Sequence, residues 1–271
     1  MSTHSRLDAE LVRRGLARSR GHARELIAAG LVAVAGHVAH KPATPVGPDA
    51  DLTVRDAGPA WVSRAAYKLV GALEEFGPQG LTVAGKRCLD VGASTGGFTQ
   101  VLLHHGAGHV VALDVGRDQL SPDLAGDPRV TERSQTTVRG LEPGDIGGRV
   151  DLLVADLSFI SLTLVLGTFR TLLRDTGDAV VLVKPQFEVG RTRLGKGGIV
   201  RDQGDRAWAI TEVAREAIEV GLHPRALAPS PIQGGEGNAE YLLWLTPRAA
   251  GSLGWEALVR TADEVTLEGA P

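Results

Sequence analysis

The chain has one cysteine and one methionine in 271 residues, and aromatic residues make up only 4% of it. A lone Cys88 can form no intrachain disulfide and seeds no Cys/His metal cluster, which sets aside disulfide scaffolds and zinc modules. Lying between Arg87 and Leu89 in an apolar run, it reads as a small buried hydrophobe. With so few aromatics the core must be built from Val, Leu, Ile and Ala, which suits a parallel sheet covered by helices on both faces. Long hydrophobic runs are also missing. The longest, Ile160 to Leu173, is interrupted by Arg170 and falls short of the ~20 residues that a membrane-spanning helix needs. The opening Met1-Ser2-Thr3-His4-Ser5-Arg6 lacks the apolar centre of a secretion signal. A cytoplasmic protein without membrane contact or a metal is expected.

A net charge of −3 argues against nucleic-acid binding until its distribution is considered. Residues 1–41 carry Arg6, Arg13, Arg14, Arg18, Arg20, Arg24 and Lys41 against Asp8, Glu10 and Glu25, a net +4 that leaves −7 for the remainder. A basic headpiece on an acidic body is the asymmetry to explain.

Leu7 and Leu11 share one face of a short helix that Gly15 ends. Ser19 caps a second helix running to Gly30, with Ala23, Leu26 and Ile27 apolar and Arg20 and Arg24 on a face away from that core. Leu31 to Val34, a turn at Ala35-Gly36-His37 and Val38 make a compact β segment. Arginines on one side of such a unit suit phosphates, because the guanidinium donates bidentately and stays charged. The run from Arg6-Leu7-Asp8 through Arg14-Gly15, Ser19-Arg20 and Leu26-Ile27 to Val32-Ala33-Val34 and Gly36 resembles the αL RNA-binding motif, named for the fourth small-subunit ribosomal protein. Ala35 stands where that motif often has asparagine. The RNA-binding candidates are Arg6, Arg14, Arg18, Arg20 and Arg24, joined by Arg191, Arg193 and Lys196 in a glycine-rich loop from Gln186 to Gly204.

Pro- and Gly-rich turns over residues 41–49 close the headpiece, Leu52-Thr53-Val54 adds a strand, and Ala57-Gly58-Pro59 marks the boundary. This divides the chain into 1–57, 58–248 and a tail over 249–271. Beyond the boundary strands alternate with helices: a helix from Ser63, strands at Cys88–Val91, Val110–Leu113, Val150–Ala155 and Ala179–Val183, helices at Thr99–His105, Ile160–Leu173 and Asp205–Val220, and a last antiparallel strand at Glu240–Leu245. The fold class is α/β, a Rossmann-like doubly wound sheet with right-handed crossovers and a small N-terminal α/β domain.

Asp90-Val91-Gly92-Ala93-Ser94-Thr95-Gly96-Gly97-Phe98 is a strand running through a glycine turn into a helix, the arrangement that aims backbone N–H groups at a ligand at the sheet edge. Ser94 replaces the middle glycine of the dinucleotide fingerprint, which favours a nucleoside without pyrophosphate, S-adenosyl-L-methionine. Asp90, Gly92, Ala93, Ser94, Gly96, Gly97 and Phe98 are the candidate cofactor residues. Asp114, ending the next strand, is placed to accept from a ribose diol. Four further charges sit where apolar elements begin or end: Lys68, Asp156, Lys184 and Glu240. Asp156 and Lys184 directly follow apolar strands, and a charge so placed tends to point into the ligand crevice of a parallel sheet.

The stretches Ser63-Arg64-Ala65-Ala66-Tyr67-Lys68-Leu69, Asp90 to Thr99, Ala155-Asp156-Leu157-Ser158-Phe159-Ile160-Ser161-Leu162, Lys184-Pro185-Gln186-Phe187-Glu188 and Gly197-Gly198-Ile199-Val200-Arg201-Asp202 resemble the TlyA family, also called haemolysin A. This resemblance spans nearly the whole chain. It implies an FtsJ-type ribosomal RNA 2′-O-methyltransferase acting on cytidine, with ribosomal RNA or subunits as partner. It also implies a Lys-Asp-Lys-Glu catalytic set at Lys68, Asp156, Lys184 and Glu240, with Asp156 also touching the cofactor and Glu236 and Glu188 as alternatives for the last member. Two other classes compete: a non-catalytic ribosome-assembly factor that only binds RNA, and a membrane-active haemolysin. A pseudouridine synthase, which can carry the same headpiece, is disfavoured by the glycine turn.

Overall fold

The computed structural model describes residues 4–17, 19–28, 30–54, 61–195 and 197–268. Arg18, Lys196 and the expected boundary at Ala57-Gly58-Pro59 lie outside the described residues.

In the headpiece β1 (Ser5–Arg6) leads into α1 (Leu7–Arg13), and α2 (Arg20–Ala28) packs on it. Leu7, Leu11, Ala23, Leu26 and Ile27 form the core with Val32 and Val46. The Ser19 hydroxyl accepts from the His22 N–H at 3.1 Å, the cap its position predicts. β2 (Val32–Val34) pairs with β3 (His37–Val38) and later with β5 (Leu52–Val54), while β4 (Pro45–Val46) pairs with β1. The β2–β3 turn places Ala35 at φ 49° and Gly36 at φ 79°. Asparagine tolerates that left-handed position better than alanine, so the departure at residue 35 is a local turn cost.

The larger unit begins with α3 (Ala66–Phe76). Ser63 does not cap it by side chain as the sequence suggests; its carbonyl accepts from the Ala66 N–H at 3.2 Å, and the helix starts after a turn. Then follow β6 (Arg87–Val91), α4 (Gly97–His104), β7 (His109–Leu113), α5 (Pro122–Ala125), β8 (Val130–Arg133), β9 (Val150–Ala155), α6 (Leu166–Leu172), β10 (Leu173–Val183), α7 (Pro185–Glu188), α8 (Gln203–Glu219), β11 (His223–Pro229), β12 (Tyr241–Thr246) and α9 (Trp255–Glu268). The sheet order is β11-β12-β10-β9-β6-β7-β8, parallel from β10 to β8 and antiparallel through β12 and β11. Alternate residues feed two cores. Leu89, Val111, Leu153 and Val181 face Phe169 and Ile210 on one side, while Cys88, Val110, Leu152 and Val180 face Leu69, Phe76 and Leu102 on the other. Cys88 is fully buried, and burial pushes its thiol up to about 12.

Three elements differ from the sequence expectation. The helix foreseen over Ile160–Leu173 begins only at Leu166, after a 3-10 turn at Leu162–Leu164. Ser161 accepts from the Thr163 N–H at 3.2 Å, and hydroxyl and β-branched residues favour such a turn over helix. β11 was not anticipated because Pro224 and Pro229 punctuate it; at the sheet edge proline is tolerated. Residues 249–271, expected as a tail, contain α9, which buries Leu258 and Ala262 against α8 and β11. Its buried apolar stripe is narrow, Leu258, Ala262 and Val265.

β6 and β9 are neighbours, and the chain leaves them in opposite directions across the sheet. In a doubly wound sheet this switch point opens a crevice beyond the strand ends, and ligands bind there.

Candidate active site

β9 delivers Asp156 to the crevice and β10 delivers Lys184 beside it; α3 brings Lys68 from one flank and the approach to β12 brings Glu240. These four side chains form one connected cluster. The Lys184 Nζ lies 2.6 Å from Asp156 Oδ1. The Lys68 Nζ lies 3.1 Å from Asp156 Oδ2 and 2.7 Å from Glu240 Oε2. Burial works to raise the Asp156 carboxyl, and the Lys68 and Lys184 charges overcome it, leaving the group below its ordinary range. Both lysines are buried to 6% exposure, so the pairs exist in a medium where an isolated charge is costly. Lys184 also donates to the Ser158 hydroxyl at 3.0 Å, a contact that sequence inspection missed although Ser158 lies only two residues past Asp156.

Of the alternatives for the fourth position, Glu236 lines the crevice without a lysine partner among the described residues, and Glu188 accepts from Ser161 and Leu162 instead. Only Glu240 meets Lys68.

Two cavities meet at this cluster. One, about 610 Å³, is walled by Lys68, Gly92, Ser94, Phe98, Asp156 and Lys184. The other, about 470 Å³, runs over Gly92 and Ser94 to Asp114, Val115, Val138 and Leu157. They share Gly92, Ser94, Asp156, Ser158 and Phe159, giving a bent channel with an apolar arm ending at a carboxylate and a charged arm ending at the lysines. That shape fits a nucleoside bearing a charged amino-acid arm. The Asp114 carboxylate accepts from the Ser94 N–H at 2.8 Å and the Gly116 N–H at 2.7 Å, which orients it and leaves lone pairs for a diol. Gly92 is needed where it stands: at φ 85° its missing Cβ would sit 2.7 Å from the Asp156 carbonyl oxygen. Ser94, in the place of a fingerprint glycine, holds φ 47°, so the turn keeps a glycine-like backbone under a side chain. Gly97 allows α4 to meet the start of α3; a Cβ there would strike Ser63 and stand 3.0 Å from the Ala66 nitrogen.

Two of the candidate cofactor residues do not reach the channel wall. Gly96, at φ 97°, backs onto Leu120 and Leu124. Asp90 is fully buried beneath the turn and accepts from the Thr99 hydroxyl at 2.7 Å. Burial pushes its carboxyl up to about 7, against the Thr99 hydrogen bonds. A carboxyl raised in the folded state holds its proton there more tightly than in the unfolded chain. Stability is therefore lost as pH climbs from about 4 toward about 7. Asp90→Asn keeps the acceptor for Thr99 and removes this loss. Its melting temperature relative to the wild type is expected to rise between pH 4.5 and pH 8; parallel melting curves over that range would contradict the assignment.

The headpiece arginines are arranged by two buried carboxylates. Arg6, Arg20 and Arg24 converge on Asp8 at 3.0, 3.1 and 3.2 Å while remaining about half exposed, and their hydrogen bonds, that of Arg6 foremost, hold Asp8 well below the usual carboxylate range. Three cations on one anion leave a compact positive surface. Arg14 differs: it binds Glu10 at 2.8 Å and the carbonyls of Gly47, Pro48 and Ala50, so it closes the headpiece rather than offering a free guanidinium. Arg193 is likewise engaged, 4.3 Å over the Trp208 ring and 3.4 Å from Asp205, while Arg191 stays exposed. The loop carrying them is anchored, since Asn238 accepts from the Val200 N–H at 3.0 Å and donates to the Gly198 carbonyl at 3.1 Å.

Among the described residues no cluster of His, Cys, Asp and Glu could hold a metal ion, and no helix is long and apolar enough to cross a membrane. Residues 61–246 match the FtsJ-like methyltransferase family and residues 5–52 match the S4 domain. The chain is 55% identical to the 16S/23S rRNA (cytidine-2′-O)-methyltransferase TlyA of Mycobacterium tuberculosis, over 97% of this chain and 98% of that one. It is 38% identical to Hemolysin A of Brachyspira hyodysenteriae over 88% and 98% of the two chains. A solved structure from Streptococcus thermophilus, classed among the hemolysins, is 35% identical and superposes with a TM-score of 0.71, covering 99% of this chain and 96% of that one. With its S4 headpiece, switch-point crevice and paired lysines, the chain belongs to the TlyA family of FtsJ-like methyltransferases.

Proposed function

We propose that the protein transfers a methyl group from S-adenosyl-L-methionine to the 2′-hydroxyl of a cytidine in ribosomal RNA, with the S4 domain holding the RNA. The observation that carries this reading is the pair of buried lysine ammonium groups sharing the Asp156 carboxylate, which stands where the two cavities join. The M. tuberculosis relative, named for the same reaction on 16S and 23S rRNA, supports the choice of substrate.

The bound cofactor supplies an already activated methyl group, so no metal is required for the transfer. Asp114 would hold its ribose, Val115, Val138 and Leu157 its base, and the turn at Gly92–Ser94 its amino-acid arm. Lys184 has three donors, of which Asp156 and Ser158 take two. The third is left for the target hydroxyl oxygen, aligning it for in-line attack and stabilising the negative charge that develops on it. Lys184 would stay an ammonium, and the hydroxyl proton would pass to the Asp156 carboxylate as the oxygen takes the methyl group and the sulfur keeps the electron pair of the broken S–C bond, leaving S-adenosylhomocysteine. Lys68, held by Asp156 and Glu240, keeps that carboxylate in place and adds positive potential. Arg6, Arg20 and Arg24 supply phosphate contacts that position without reading sequence.

The test is to map ribose methylation after incubating this protein and the methyl donor with ribosomal subunits from a strain lacking the modification. One or two newly methylated cytidines are expected. RNA binding without any methyl incorporation would leave the assembly-factor reading standing, and cofactor-independent lysis of liposomes would revive the haemolysin.

A further inference from the structure

Glu188 takes no part in the lysine cluster and does not line the crevice, yet it ends the α7 turn that Lys184 begins. Its carboxylate Oε2 accepts from the Ser161 hydroxyl at 2.5 Å, and Oε1 accepts from the Leu162 N–H at 2.9 Å. Both donors belong to the segment that leaves β9 with Asp156 and Ser158. Lys184 already joins the same two segments at their other end, through Asp156 and Ser158. The two connections are therefore laced twice, four residues apart on one strand of the lacing and three to six apart on the other. Between the laces lies Phe159, at φ 64° and 92% exposed. A bulky residue in the left-handed region is strained, and persists only where the surroundings over-determine it. Without the second lace the segment is free to relax that residue, and Ser158 would move with it.

We infer that Glu188 is a positioning residue of the methyl-transfer site, tying the segment after β9 to the turn after β10 so that Ser158 and Asp156 stay where the Lys184 ammonium meets both. The inference rests on the transfer reaction proposed above. A carboxylate suits the task because a charged acceptor makes the shorter and stronger hydrogen bond. Burial pushes the Glu188 carboxyl above its ordinary range, and the bonds from Ser161 and Leu162 pull against that rise. Charge strengthens the lacing, but reach is what sets its geometry. Glutamine at this position reaches as far, accepts from Leu162 and can donate to the Ser161 hydroxyl, whereas aspartate keeps the charge and falls one methylene short of both.

The experiment uses full-length E188A, E188D and E188Q beside the wild type. It measures tritiated methyl transfer into unmodified ribosomal subunits, S-adenosylhomocysteine affinity by calorimetry, and thermal melting. E188A and E188D are expected to lose roughly 10- to 100-fold in kcat, the scale of a displacement near 1 Å at a reacting group. KM for the subunits should stay within about threefold, S-adenosylhomocysteine affinity within about twofold, and E188Q should recover most of kcat. Wild-type kcat in E188D overturns the inference. So does a joint collapse of kcat, cofactor affinity and melting temperature in E188Q and E188D, which would make the residue a support of the fold alone. If the wild type transfers no methyl group, the reaction itself is refuted and this inference with it; if it does and E188D matches it, only the inference falls.

Discussion

Lys184→Ala lowers methyl-transfer turnover by roughly 10²–10⁴-fold, the range lost when a group acting directly on the proton or oxygen of a poor nucleophile is removed. The effect belongs to kcat because Lys184 lines the charged arm of the channel and not the arm ending at Asp114, where the cofactor's nucleoside is proposed to lie. S-adenosylhomocysteine should bind the variant within about threefold of the wild type. Arginine is no substitute: its planar fork cannot fill the compact position between Asp156 Oδ1 at 2.6 Å and Ser158 Oγ at 3.0 Å. The measurement is a single-turnover assay on unmodified subunits with calorimetric titration of the cofactor product. Near-normal turnover in the alanine variant would remove Lys184 from the reaction.

Asp156→Ala has a different signature, losing activity and stability together. Among the described residues Asp156 is the only carboxylate shared by both lysines, and without it Lys184 keeps no anionic partner there. Removing one member of a buried pair leaves an uncompensated charge and costs roughly 3–5 kcal/mol. In a domain of this size that lowers the melting temperature by on the order of 10 °C. Turnover should fall at least as far as in Lys184→Ala, since Lys184 loses its anionic partner and Lys68 is left with Glu240 alone. Melting curves and the same transfer assay test this. A variant that melts with the wild type while retaining turnover would show that the lysines are placed by something other than Asp156.

Much of this site can be read along the chain because a parallel sheet converts local pattern into position. A run such as Val150–Ala155 buries both faces, so the charge that follows it, Asp156, has only the crevice to enter. The same holds for Lys184 after β10. Lys68 and Glu240 were legible through the family motifs rather than through periodicity, for nothing in a helix start or a glycine loop states that residues 68 and 240 will touch. The side-chain lacing was not legible. Ser158, Glu188 and Asn238 act across separations of 26 to 40 residues, through bonds that depend on loop backbone direction. Arg14 and Arg193 show the opposite failure. Each reads as an available cation, and each is engaged by the protein itself, one by carbonyls of the 47–50 turn and the other, at the surface, by Trp208 and Asp205. A charge count cannot tell an arm held out to a ligand from one folded inward.

The bare backbone at Gly97 links two tasks that are usually separated. Because α3 rests directly on the first turn of α4 there, the loop proposed to cradle the methyl donor is also the abutment that seats Lys68. A methyl group added at residue 97 would barely narrow the channel, but would wedge the two helices apart and carry the ammonium away from Asp156. Such an enzyme would fill with donor and stand idle, a defect of catalysis written in what looks like a binding motif.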